Sequence, residues 1–234
     1  MLRKMIGTLA ALTLASGCAS IGSMQTADTL GKGNLQFGVE PGVWGAAAIR
    51  GDAEGFAFTH LDVALRYGVS DTVDIGGRLG SSLAEFQTKF LLTDPSDPSK
   101  AISLAPAVSG ILIGSGDGGG GYTHLQVPLL FGLKTRGGSE FVVGPRISNA
   151  TFFGLGGGSD GMVNILSAGA SVGYAARLGK GFRLMPEVAV LVPLVGASAL
   201  DGESDAAVGF GGGLVQLKVG FLFGEGRPGT APVE

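Results

Sequence analysis

The sequence predicts an all-β protein, an antiparallel up-and-down transmembrane β-barrel of about ten strands, with eight or twelve strands also compatible. Bulky apolar residues alternate with small or polar ones in ten segments, as in strands with two different faces. Mean hydropathy is +0.39, and 15% of the 234 residues are charged, against roughly 25% in soluble domains. After residue 18 no apolar run approaches the roughly 20 residues of a membrane helix. A closed barrel is the other structure that satisfies its backbone in lipid.

The clearest alternation lies in a hairpin over residues 56–79, which turns at Gly68–Asp71. One face of this hairpin is apolar, and the other is polar and charged. Eight further strands are predicted over residues 34–47, 83–92, 101–114, 122–134, 139–148, 162–178, 182–194 and 215–223. Short turns alternate with longer, glycine-rich loops at 115–121, 149–161 and 196–209. Short turns on the periplasmic side and long loops outside are typical of outer-membrane barrels.

The sequence predicts a secretion signal over residues 1–17, where Arg3 and Lys4 precede a short apolar stretch. The run Leu14-Ala15-Ser16-Gly17-Cys18 resembles a bacterial lipoprotein signal, which is cut before a cysteine that becomes diacylated. Cys18 is the sole cysteine, so it cannot form an intrachain disulfide. The resemblance implies lipidation of Cys18, and Ala19 after it fits sorting to the outer membrane. The alternative is an ordinary signal peptide with an incidental cysteine.

Residues 18–33 are small and polar and are predicted to form a lipidated tether before a barrel at 34–224, with a polar tail at 225–234. The stretch Met24–Gly33 resembles the segment that leads into the first strand of lipid-anchored envelope barrels. The last strand resembles the C-terminal strand of outer-membrane barrels, although there the aromatic is usually the final residue. The chain therefore resembles the small lipid-anchored β-barrel proteins of bacterial outer membranes, which implies that location and a membrane anchor on Cys18.

Which face is outside decides the chemistry of the lumen. A soluble barrel of the lipocalin kind also alternates, with its apolar face inside. Bulky aliphatic residues, aromatics near strand ends and sparse charge favour lipid outside. The predicted lumen then receives a mixed set of acidic, basic and histidine side chains: Glu40, His60, Asp62, Arg66, Asp74, Arg78, Glu85, Lys89, His124, Lys134, Glu140, Arg146, Arg177, Arg183, Glu187 and Lys218.

Acidic and basic residues in similar numbers predict ion pairs that fill a narrow lumen. We therefore expect a structural or narrow, pore-like barrel without catalysis, cofactor or metal. Alternatives are a lipid-anchored periplasmic barrel that binds a small apolar ligand, a membrane-embedded lipid-modifying hydrolase using His60 or His124, and a surface binder acting through loops 149–161 and 196–209. A net charge of −3 argues against nucleic-acid binding. The sequence points to no particular protein partner.

Overall fold

The computed structural model describes residues 20–48, 56–80, 83–115, 118–156, 161–200, 203–208 and 212–224. The predicted signal peptide, Cys18 and the tail at 225–234 lie outside these ranges. Within them, no helix has the length and apolar character needed to cross a membrane. The β segments are β1 (Leu35–Ala48), β2 (Phe56–Gly68), β3 (Val73–Gly80), β4 (Leu83–Leu91), β5 (Lys100–Leu104), β6 (Ala107–Ser115), β7 (Gly118–Lys134), β8 (Glu140–Gly156), β9 (Gly161–Gly179), β10 (Phe182–Leu200), β11 (Glu203–Val208) and β12 (Gly212–Phe223).

These segments make ten positions around a closed barrel. β5 and β6 share one position, because both pair with β4 and with β7. They are separated at Ala105 and Pro106, where the proline cannot donate to a ladder. β11 and β12 likewise both pair with β10. All pairings are antiparallel, and β12 pairs with β1, which closes the ring. The predicted ten-strand up-and-down barrel is confirmed.

The strands at one end run further than the sequence pattern predicts. Residues 118–121, expected in a loop, pair with β8 and β6, and β8 continues to Gly156. β10 reaches Leu200 and forms a hairpin with β11 inside the predicted loop 196–209. Glycine can form the backbone hydrogen bonds of a strand, but it has no side chain to produce an alternating pattern. These strand ends therefore pair in the structure although the sequence pattern does not predict them.

The two faces of the barrel differ sharply in chemistry. On β2, Val63 and Leu65 are 39% and 51% exposed on the outside, while Asp62 and Arg66 are 2% exposed on the inside. The same alternation recurs around the ring, since successive side chains of a strand point to opposite faces. An apolar exterior around a charged interior suits a barrel in lipid, and it is the reverse of a lipocalin-type soluble barrel.

The lumen is filled by the chain's own N-terminal segment, which we define as residues 20–30. Apart from Asp28, which is half-buried, all of these residues are buried. The tether predicted for residues 18–33 is therefore corrected over residues 20–30, because this segment packs inside the barrel. Small side chains suit both a solvated tether and a narrow lumen, so composition alone could not separate the two.

Candidate functional site: a lumen filled by the N-terminal segment

The N-terminal segment joins the barrel at the end that carries the short turns. Gly31 and Gly33 have φ values of 80° and 84°, a left-handed conformation that glycine adopts without strain. The Gly33 backbone N–H donates to the Gly68 carbonyl at 2.8 Å, at the turn between β2 and β3. The hydroxyl of Thr29 donates to the carbonyl of Asp71 in the same turn at 2.7 Å. These contacts turn the chain from the lumen into β1.

Luminal carboxylates hold the backbone of the segment. A buried backbone N–H group without a partner costs free energy comparable to a lost hydrogen bond. Ionised acceptors make stronger hydrogen bonds than neutral ones. The pairs join Glu187 to the N–H groups of Ser23 (2.8 Å) and Met24 (3.1 Å), Glu140 to those of Ala27 (2.8 Å) and Asp28 (3.2 Å), and Asp74 to that of Leu30 (3.1 Å).

Luminal cations hold the carbonyl groups of the same segment. Arg78 and Lys89 each donate to two carbonyls, Arg146 donates to the carbonyl of Ile21, and the hydroxyl of Ser103 donates to that of Ala27 at 2.8 Å. The distances are 3.3 and 2.7 Å from Arg78 to Gly22 and Ser23, and 3.1 and 2.7 Å from Lys89 to Thr26 and Asp28. Acidic wall residues thus accept hydrogen bonds from the N–H groups of the segment, and basic wall residues donate to its carbonyl groups.

Glu40 is the centre of a buried ion-pair cluster. Its carboxylate lies 3.0 Å from Arg66, 3.0 Å from Arg78 and 2.9 Å from Lys218. Lys218 also lies 2.7 Å from Asp62 and donates to the hydroxyl of Ser20 at 3.0 Å. Buried charges are tolerated only when they are paired and hydrogen-bonded, and here the N-terminal segment completes the set of partners.

Apolar contacts fill the space between the polar layers. Met24 is fully buried and belongs to one cluster with Leu130, Met185 and Leu222. Ile21 is 3% exposed and belongs to a second cluster, to which the wall contributes Ala189, Leu191 and Leu214. The segment therefore presents apolar side chains and polar backbone to matching parts of the wall.

The structure places the predicted luminal residues on the inside of the barrel. Of the sixteen residues predicted to face the lumen, twelve are buried. The other four, His60, Lys134, Arg177 and Arg183, are half-buried. Lys134 lies near the short-turn mouth, where its ammonium is 2.7 Å from Asp28 of the segment. Arg177 is half-buried, and its guanidinium donates to the carbonyl of Gly179 at 3.3 Å. The sequence did not predict that the segment fills the lumen. Strand alternation places Gln216 on the polar face of the last strand, and the structure shows it buried in the wall.

The two histidines do not form a joint site. His60 on β2 has its Nε2 atom 3.7 Å from Asp62 and 3.1 Å from the side-chain nitrogen of Gln216. His124 lies on β7, and β3 to β6 separate the two strands along the ring. In the described ranges, no group of three or more histidine, cysteine or acidic residues is arranged to hold a metal ion.

Comparison with known proteins gives likenesses of fold only. No protein-family model matches the chain, and no curated protein matches its sequence. Among solved structures, the translocator domain of the autotransporter NalP from Neisseria meningitidis has a TM-score of 0.47 and 14% identity, over 94% of this chain and 95% of that one. OprG from Pseudomonas aeruginosa has a TM-score of 0.37 and 13% identity, over 84% and 99%. The outer membrane protease OmpT from Escherichia coli has a TM-score of 0.34 and 10% identity, over 82% and 95%.

Proposed function

We propose that this protein is a non-catalytic β-barrel of the bacterial outer membrane, anchored by lipid on Cys18, whose lumen is kept closed by its own N-terminal segment. The observation that carries the proposal is the binding of the segment's backbone by charged wall residues of both signs, such as Glu187 and Arg78. A closed lumen makes the resting protein a structural element of the envelope. A narrow pore opens only when the segment leaves the lumen.

The membrane location is supported by the exterior of the barrel. Leu61, Leu65 and Leu79 are half exposed or more on the outside of neighbouring strands, and bulky apolar residues continue around the ring. Such a surface would aggregate in water, whereas lipid solvates it. Aromatic residues such as Tyr67 and Phe223 lie near the short-turn ends of their strands, where interfacial girdles form.

We propose that the barrel is not catalytic because its luminal carboxylates are already engaged in hydrogen bonds and ion pairs. A catalytic carboxylate or histidine must reach a bound substrate. Glu187 and Glu140 accept hydrogen bonds from the segment, and Glu40 and Asp62 are held in ion pairs.

Conductance in planar bilayers tests the closed lumen. The full chain should give few or no steps, while a variant that lacks residues 20–30 but keeps Cys18 and the barrel should give discrete steps. Both proteins are first checked by gel mobility, boiled against unboiled, since a closed membrane barrel resists SDS until heated. Steady steps from the full chain, equal to those of the deletion variant, would contradict the proposal.

A point variant covers the case in which the deletion prevents folding. Glu187→Ala removes a carboxylate that holds Ser23 and Met24 but leaves the chain intact. It should give brief openings that the wild-type protein lacks. Asp205→Asn is the matched control, because Asp205 is an exposed carboxylate on β11 and does not touch the segment.

A second candidate function is binding of a partner by the outer part of the wall. β7 and β8 have 17 residues and β9 and β10 have 19, while β3 has 8 and β4 has 9. Because a tilted strand rises about 2.5 Å per residue along the axis, one side of the barrel stands about 20 Å taller than the other. Whole-cell binding assays with and without residues 149–161 and 196–209 test this candidate.

A further inference from the structure

The N-terminal segment climbs through the barrel from the short-turn mouth. Leu30 is held by Asp74, the second residue of β3, so this end lies at the mouth. Met24 is held by Glu187, the sixth residue of β10. Ile21 belongs to a cluster with Ala189 and Leu191, seven and nine residues beyond the start of β10, and the hydroxyl of Ser20 accepts a hydrogen bond from Lys218, which pairs with Glu187. At about 2.5 Å per residue along the axis, these wall residues lie about 12 to 22 Å above the mouth, against an apolar band about 25 Å tall in outer-membrane barrels.

Below Ser20, the described part of the lumen leaves no room for a second pass of extended chain. Below Ser20 the cross-section is filled by the segment itself and by wall side chains. Met24, Leu130 and Met185 have no exposed surface, and Leu222 is 1% exposed. A second pass of backbone would need a channel of extended-chain width beside them. The direction of the segment is therefore fixed from Leu30 toward the long-loop mouth.

The wall is lowest beside the point that Ser20 reaches. The hydroxyl of Ser20 lies 3.4 Å from Arg78, which is two residues before Gly80, the end of β3. Gly80 pairs with Leu83 at the start of β4. This end of the hairpin lies only about 18 Å above the short-turn mouth, by the same strand geometry. Ser20 therefore lies inside the low side of the barrel, beside Arg78 and Lys218.

We propose that the N-terminal segment crosses the membrane inside its own barrel, so that the mature N-terminus, with the lipid on Cys18, lies on the outer side. The statement about lipid rests on the proposed function, because it needs Cys18 to be acylated. The threading itself rests on the contacts of residues 20–30. Two peptide units separate Cys18 from Ser20, a span of at most about 7 Å. On this proposal, an acyl anchor on Cys18 would enter the outer leaflet beside the ends of β3 and β4.

An epitope inserted between Ala19 and Ser20 of the full chain tests the threading. Antibody should bind it on intact cells to nearly the extent seen after permeabilisation of the outer membrane. The matched control carries the same epitope after Gly224, at the short-turn mouth, and should be detected only after permeabilisation. Incorporation of alkyne-palmitate, with Cys18→Ser as its control, reports lipidation of the same protein separately.

The outcomes separate the two proposals. Surface detection with palmitate incorporation supports both. Surface detection without palmitate supports the threading and overturns the lipid anchor. Detection only after permeabilisation overturns the threading, whether or not palmitate is incorporated.

If the epitope prevents folding, so that the heat-dependent gel shift is lost, a smaller insertion is used instead. A Gly-Cys-Gly tripeptide after Ala19 introduces one new thiol in a chain whose sole native cysteine is Cys18. A membrane-impermeant maleimide should label that thiol on intact cells. Labelling that needs permeabilisation would overturn the threading.

Discussion

The carbonyl oxygen of Gly31 occupies the space that a side chain at Gly68 would need. A Cβ atom built on Gly68 would overlap that oxygen and lie 2.7 Å from the Gly31 carbonyl carbon. Both partners are backbone, so neither can rotate away. The close approach lets the chain leave the lumen and enter β1 directly beside the β2–β3 turn.

Gly68→Ala should therefore loosen the lower end of the N-terminal segment. Overpacking a tight site typically costs about 1–3 kcal/mol. We expect a lower urea midpoint for unfolding in detergent and faster proteolysis near Gly31. Gly137→Ala is the control, since at this other short turn the nearest atom to a new Cβ is 3.9 Å away. Equal effects of both substitutions would show that the contact with Gly31 is unimportant.

Glu187→Ala should free the middle of the segment. The carboxylate accepts hydrogen bonds from the N–H groups of Ser23 and Met24. A hydrogen bond to a charged group contributes about 1.5–3 kcal/mol to stability. Amide exchange at these two residues should accelerate at least about tenfold. Hydrogen–deuterium exchange with mass spectrometry of the segment measures this, and Asp205→Asn should leave the exchange unchanged. Unaltered exchange in the Glu187 variant would mean that the carboxylate does not hold the segment.

Glu40→Gln should destabilise the whole barrel. Three cations, on Arg66, Arg78 and Lys218, lie within 3.0 Å of this fully buried carboxylate. Removing one partner of a buried ion pair typically costs about 3–5 kcal/mol, because the remaining charge is left uncompensated. Urea denaturation in detergent, followed by tryptophan fluorescence and gel mobility, measures the loss.

Glu85→Gln serves as the comparison for Glu40→Gln. Glu85 is also a buried acid, but among the described ion pairs it contacts Arg78, which keeps Glu40 as a partner. Its loss should therefore cost less. A larger effect at Glu85 than at Glu40 would contradict the central position given to Glu40.

The fold could be predicted from the sequence because alternation reports directly on the two faces of each strand. Val63 and Arg66 fall on opposite faces of β2 by counting alone, and a single register satisfies the whole hairpin. The outer hairpins were harder to predict. Gly118 to Gly121 form a ladder without bulky side chains, so no alternation marks them as part of a strand.

The filled lumen could not be predicted, for a different physical reason. Binding of the segment depends on its backbone groups, and every residue supplies those. Nothing in the sequence around Ser23 and Met24 indicates that Glu187 accepts hydrogen bonds from their N–H groups. The many charged residues predicted on the inner wall offered an indirect signal, because each charge buried in a narrow lumen needs a partner.

The last prediction concerns the outer face of the barrel. Val63 faces outward on β2 between the outward residues Val39 and Leu79 of its neighbours, which places it within the apolar band. Val63→Arg should cost about 2–4 kcal/mol, because the charge would lie in hydrocarbon. Val208→Arg is the control, since Val208 is 84% exposed on β11, beyond the band, and should cost about 0–1 kcal/mol. Urea titrations of folding into lipid vesicles compare the two variants with the wild-type protein. In a barrel whose exterior faced water, both substitutions would be nearly neutral. A large difference between them therefore identifies lipid as the solvent of this face.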